Sequence, residues 1–168
     1  MKTLPLALSV LLLSLLVLAG CGKSAEQKQM ESDLNKRVMA MHDTEMAKMR
    51  QAQDLTSQLD SVMSMHDALV GKYPKETVGH SSDDINVAKE KLASARAAMD
   101  AWMSGHKPYD ENVTHAEVMA KLNADIQGLE KVREQADTAI ADATSVIESH
   151  RKAAADLLAK KSPKKSWR

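Results

Sequence analysis

Apolar residues return at alternating steps of four and three along most of this chain, and three separate seams can be followed. The first runs Leu34, Val38, Met41, Glu45, Lys48, Ala52, Leu55, Leu59, Val62, His66, Leu69, which is heptad spacing and predicts a helix. Ser24 precedes it with Gln27 three residues on, the reciprocal capping-box arrangement. Gly71 is expected to end the helix in a left-handed conformation, and Pro74 prevents its resumption. The first helix is therefore predicted over 24–70, about 47 residues and roughly 70 Å long at 1.5 Å per residue. A second seam, Ile85, Ala88, Leu92, Ala95, Met99, Trp102, predicts a helix over 82–104. Ser81 or Ser82 would cap it, with Asp83 and Asp84 beside its positive end. Gly105 and Pro108 then stop it. The third seam is Val118, Leu122, Ile126, Leu129, Val132, Ala136, Ile140, Ala143, Ile147, His150, Ala154, Leu157, on a helix expected over 114–160. Thr114 with Glu117 forms its capping box, and Val113 with Val118 a hydrophobic staple. Residues 161–168 form a basic tail.

These lengths predict an all-α fold, an elongated antiparallel three-helix bundle or coiled coil with two long helices and a shorter middle one. Helix two would turn back along the upper half of helix one. The segment from Gly105 to Val113 would then descend about 30 Å in extended form, and helix three would rise beside helix one. In the alternative, helix three runs on away from helix two and leaves an open seam that demands a partner chain. Short, uncrossed connections favour the compact form.

Ahead of the first seam the pattern changes. Lys2 is followed by an apolar run from Leu4 to Leu18, and then by Ala19, Gly20 and Cys21. The run is about fifteen residues, short of the roughly 20 needed to span a bilayer, and it has the build of a secretion signal. Leu18-Ala19-Gly20-Cys21 resembles the lipobox of bacterial lipoproteins. That resemblance implies a signal peptide over 1–20 and a lipidated N-terminus over 21–23, with Cys21 as the lipid attachment site. Its acyl chains would anchor the protein to a membrane. Gly22 and Lys23 after the cysteine, rather than Asp, imply the outer membrane, facing the periplasm.

Composition narrows the function classes. Acidic and basic residues balance at 23 each, which argues against nucleic acid, because such a partner needs a basic face. Cys21 is the sole cysteine, so once it is lipidated no disulfide, thiolate metal site or cysteine nucleophile is available. There is no Phe, and only two Trp and two Tyr, whereas Met reaches 11. Such a chain suits narrow helix-on-helix seams. No nucleophile elbow, glycine-rich phosphate loop or His-Glu-x-x-His pair is present, so the reading is non-catalytic.

The methionines invite a second reading. Met39-Ala40-Met41-His42-Asp43 is echoed by Met63-Ser64-Met65-His66-Asp67, about 36 Å further along one helix, too far to share a site. Around the first copy His42, Met46 and Met49 fall on one helical face, and Met103 is expected to approach from the end of helix two, level with Met49. Thioether with imidazole is a soft donor set that suits copper, above all Cu(I). Against this stands Met as a flexible core filler, to which the whole stripe is also suited.

Val38-Met39-Ala40-Met41-His42-Asp43-Thr44-Glu45-Met46-Ala47-Lys48-Met49, with Ala98-Met99-Asp100-Ala101-Trp102-Met103 ahead of Pro108 and Tyr109, resembles segments of a group of bacterial helical lipoproteins. The resemblance implies a helical fold and transfers no activity. The reading is thus a non-catalytic structural or binding module on a membrane, with an envelope protein or the cell wall as possible partner. Copper binding and a cell-wall tether are its rivals. A covalent tether through a terminal lysine is not expected, because the chain ends in Arg168.

Overall fold

The computed structural model describes residues 22–73, 81–110 and 112–161. The lipobox with Cys21, most of the loop after Tyr73, and the tail beyond Lys161 lie outside the described residues. Three helices are formed: α1, Ala25–Lys72; α2, Ser82–Gly105; and α3, His115–Lys161. Their lengths are 48, 24 and 47 residues. No helix among the described residues is long and apolar enough to cross a membrane.

The helix starts are set by local hydrogen bonding. At α1 the Gln27 N–H donates to Ser24 Oγ at 3.1 Å, and the Ser24 N–H donates to Gln27 Oε1 at 2.9 Å. Ser81, not Ser82, caps α2 by accepting from the Asp83 N–H at 3.0 Å. At α3 the Thr114 N–H and hydroxyl both donate to Glu117 Oε2, at 2.9 and 2.8 Å. The end of α1 differs from expectation. Gly71 is helical and does not adopt a positive φ. Tyr73 ends the helix at φ −129°, ψ 60°, its N–H donating to the Leu69 carbonyl at 2.8 Å. Tyr73 precedes Pro74, whose ring excludes the α conformation from the residue before it, so the proline stops the helix without help from glycine.

Cross-helix contacts give the direction of each element. From α1 to α3, Glu31 meets His115, Lys48 meets Asp137 and His66 meets His150. The numbers rise together, so these two helices are parallel. Asp60 meets Lys89, and His150 meets Asp84, so α2 runs antiparallel to both. This is the compact arrangement, with α2 beside the upper half of α1. The descent after α2 is shorter than anticipated. His106 lies at Asp125 and His115 begins α3, so the connection drops by about ten helical residues, roughly 15 Å.

Leu59, Leu92, Leu129, Met99, Ile85 and Val118 are fully buried in one continuous core. A smaller cluster of Leu69, Ala154 and Leu157 closes the top under Tyr73. Two positions depart from the four-three seams. Met49 is buried where Lys48 was expected, and Ala139 where Ile140 was expected. Lys48 lays its stem along the seam and carries its ammonium out to Asp137 at 2.6 Å.

Two carboxylates are buried in the α1 seam. Glu31 accepts from Lys23 Nζ at 3.1 Å and lies 2.9 Å from His115 Nδ1. Burial works against the charge of this carboxylate, but its His115 and Lys23 partners outweigh burial and hold the pKa below the ordinary range. Glu45 is only 2% exposed. Lys48 Nζ lies 3.3 Å from its Oε2, yet among the described residues that oxygen has no hydrogen bond of good geometry. The contact is ionic, and Lys48 divides itself between Glu45 and Asp137.

A carboxylate with a lowered folded pKa binds fewer protons when folded. Its contribution to stability is present above the unfolded value near 4.3 and is lost as pH falls through the folded pKa. We therefore expect the melting temperature to drop on acidification below about pH 4.3, and Glu31→Gln to make that drop shallower. Asp33 and Glu117, also held low by their hydrogen bonds, would keep the remainder. Identical acid profiles for the two proteins would contradict the assignment. At Glu45 the asymmetry of buried ion pairs applies. Glu45→Leu should be neutral or stabilising in chemical denaturation. Lys48→Met, which strands the carboxylate, should cost about 2 kcal/mol, less than a fully buried pair because the ammonium is partly solvated.

Candidate functional site

The last turn of α2 brings one indole together with two imidazoles. Trp102 is half-buried, and its indole N–H donates to the Asp125 carbonyl of α3 at 3.0 Å. Its ring stacks on His106, centroids 4.9 Å apart and planes 14° apart, and meets His42 of α1 at 5.7 Å. His106 Nδ1 is 3.1 Å from Asp125 Oδ2, which also accepts from Lys121 Nζ at 2.8 Å. Trp102 is thereby held by contacts to all three elements.

Gly128 makes room for it. A Cβ at that position would lie 2.8 Å from Trp102 Cδ1 and 3.1 Å from Nε1, both closer than such atoms normally approach. A glycine in the interior of a helix otherwise destabilises it by roughly 0.5–1 kcal/mol relative to alanine. Here that cost is offset by the ring seated on the bare backbone.

The four candidate metal ligands fall into two groups. Met46, Met49 and Met103 line one cavity of about 150 Å³ between α1 and α2, together with Arg50, Gln53, Arg96 and Asp100. His42 does not line it. Its ring faces Trp102, and its Nδ1 lies 3.1 Å from Asp43 Oδ1. The end of α2 thus passes Met49 and reaches the level of His42, about two turns further than anticipated. Met99 and Met103 also part company: Met99 is 0% exposed and fills the core, whereas Met103 is 37% exposed. Among the described residues no three His, Cys, Asp or Glu side chains are grouped so as to hold a metal ion.

The second copy of the Met-His motif has different surroundings. His66 meets His150 edge-on at 5.4 Å, and His150, 1% exposed, lies 3.0 Å from Asp84 Oδ1. The His66 Nδ1 atom is buried without a hydrogen-bond partner among the described residues. At the opposite end of the bundle, a cavity of about 280 Å³ is lined by Gly22, Lys23, Lys28, Glu31 and Tyr109, with Lys23 Nζ 5.8 Å from the Tyr109 ring centre. The pairing of Trp102 with Gly128 has no signature in the sequence beyond an isolated glycine inside a strong helical pattern, a residue that costs about 1 kcal/mol against alanine. Glu31 is not marked in the sequence, because a charged residue one step before the first apolar seam position reads as part of a solvated face. Cys21 lies outside the described residues.

Comparison with protein-family models, with curated proteins and with solved structures finds no match for this chain.

Gly128 supplies a test of the Trp102 seat. In an unobstructed helix interior, Gly→Ala stabilises by up to about 1 kcal/mol. Here Gly128→Ala should instead destabilise by about 1–3 kcal/mol through overpacking. The same change in a Trp102→Ala background should recover the ordinary stabilising effect, so the double-mutant cycle gives a large coupling. Additive effects would show that the ring does not depend on the glycine.

Proposed function

We propose that this chain is a lipid-anchored, non-catalytic helical module of the bacterial envelope. It is held through Cys21 to the outer membrane and faces the periplasm, where it spaces or binds another envelope component. The observation that carries the reading is the Leu18-Ala19-Gly20-Cys21 sequence after a short apolar run. Two or more acyl chains on one cysteine make a stable anchor where a single chain binds only marginally.

The local geometry beyond the cysteine suits such a role. α1 starts at Ala25, capped by Ser24, and Lys23 is already engaged by Glu31 and the Tyr109 ring. The junction between acyl chains and helix would therefore be only a few residues long. The helix of 48 residues would carry its far end roughly 70 Å from the anchor. The balanced charge suits a protein or cell-wall partner better than nucleic acid.

Metabolic labelling with an alkyne fatty acid tests the anchor. Wild type should take up label and partition with membranes, and Cys21→Ala should do neither. Equal label in both proteins would overturn the reading.

A further inference from the structure

The cavity between α1 and α2 has a donor chemistry that the anchor does not explain. Three thioethers, from Met46, Met49 and Met103, share its wall. A methionine that merely fills a core is enclosed, as Met99 is at 0% exposure. Met103 is instead 37% exposed and Met46 half-buried, and both line this open cavity from opposite helices. One helical turn before Met46, His42 has Nδ1 beside the Asp43 carboxylate, the pairing that fixes ring orientation and tautomer in imidazoles that ligate metals. His42 also touches Trp102, the residue immediately before Met103.

The geometry points to a Cu(I) site formed across α1 and α2, with Met46 and Met103 as its bridging ligands, Met49 at its floor and His42 at its edge. Hard and borderline ions are disfavoured there. The donors are thioethers, and among the described residues the cavity wall carries a single carboxylate, Asp100, and no imidazole. Soft sulfur ligands select Cu(I). Arg50 and Arg96 stand on the same wall with Asp100. Thioethers bind by softness rather than charge, so their selectivity does not require a negative field. The site is independent of the lipid anchor, and loss of either leaves the other intact.

The test uses the full chain in detergent, with Cys21→Ala so that no unlipidated thiol competes and Trp167→Phe to leave Trp102 as the sole indole. Cu(I) is delivered as its bicinchoninate complex under anaerobic conditions, and two signals are followed: loss of the complex's colour and quenching of Trp102 fluorescence. We expect one equivalent of Cu(I) to be withdrawn and the fluorescence to fall in step. The pair Met46→Leu with Met103→Leu conserves volume and should abolish both signals while the helical circular dichroism is unchanged. His42→Gln should weaken binding about tenfold or more. Met63→Leu with Met65→Leu, in the second copy of the motif, should bind as the parent does. Failure of the parent to withdraw Cu(I), undiminished binding by the Met46/Met103 variant, or loss confined to the Met63/Met65 variant would each overturn the site.

Discussion

The fold depends on keeping α1 and α3 parallel and in register along a single seam. Glu31 meets His115 at one end and His66 meets His150 at the other. Glu31 to His66 and His115 to His150 are equal intervals, each five heptads long. Two helices that hold the same pairing over that distance cannot keep the straight 3.6-residue repeat. They must coil slightly around each other, so that the seam continues to face its partner. Because α1 and α3 point the same way, the chain must return the full length of the seam between them. α2 makes the upper part of that return as a helix, and residues 106–114 make the rest.

That incomplete return explains where the unusual chemistry sits. Along the upper half the seam is covered by a third helix, and Leu92, Ala95 and Met99 bury in it. Where α2 stops, a bulky ring takes over, with Trp102 against the Gly128 backbone and its N–H bonded to Asp125. Tyr109 and Val113 from the connection pack against the remaining core. The methionine-lined cavity opens at this change from three helices to two, beside the turn where the cover ends.

Polar residues punctuate the seam at heptad intervals. Glu31, Val38, Glu45, Ala52, Leu59 and His66 occupy one heptad position, and three of the six are ionisable. Buried polar groups lower the stability of a coiled coil but restrict the registers it can adopt, since a one-heptad slip would separate each from its partner. The Glu31–His115 contact at one end and the His66–His150–Asp84 group at the other suit that role. Between them Glu45 is met by Lys48, which reaches its carboxylate from one turn away.

Much of this was legible in the sequence. Ser24 with Gln27 and Thr114 with Glu117 announce their helices because a cap is a local hydrogen-bond arrangement within four residues. The four-three seams name the buried face of each helix because periodicity belongs to the helix alone. The choice between neighbours at the border of a seam does not. Met49 buries in place of Lys48, and Ala139 in place of Ile140, because the third helix lies to one side of the seam over part of its length. Gly71 reads as a stop, yet the helix continues through it to Tyr73, since a glycine permits a left-handed turn without requiring one. The seating of Trp102 on Gly128, and the turn of His42 towards Trp102 beside the wall the three methionines share, involve residues distant in sequence and are set by how far α2 descends. Spacing along one helix determines which side chains share its face. Only the packing of three helices of unequal length decided which of those side chains meet across the gap.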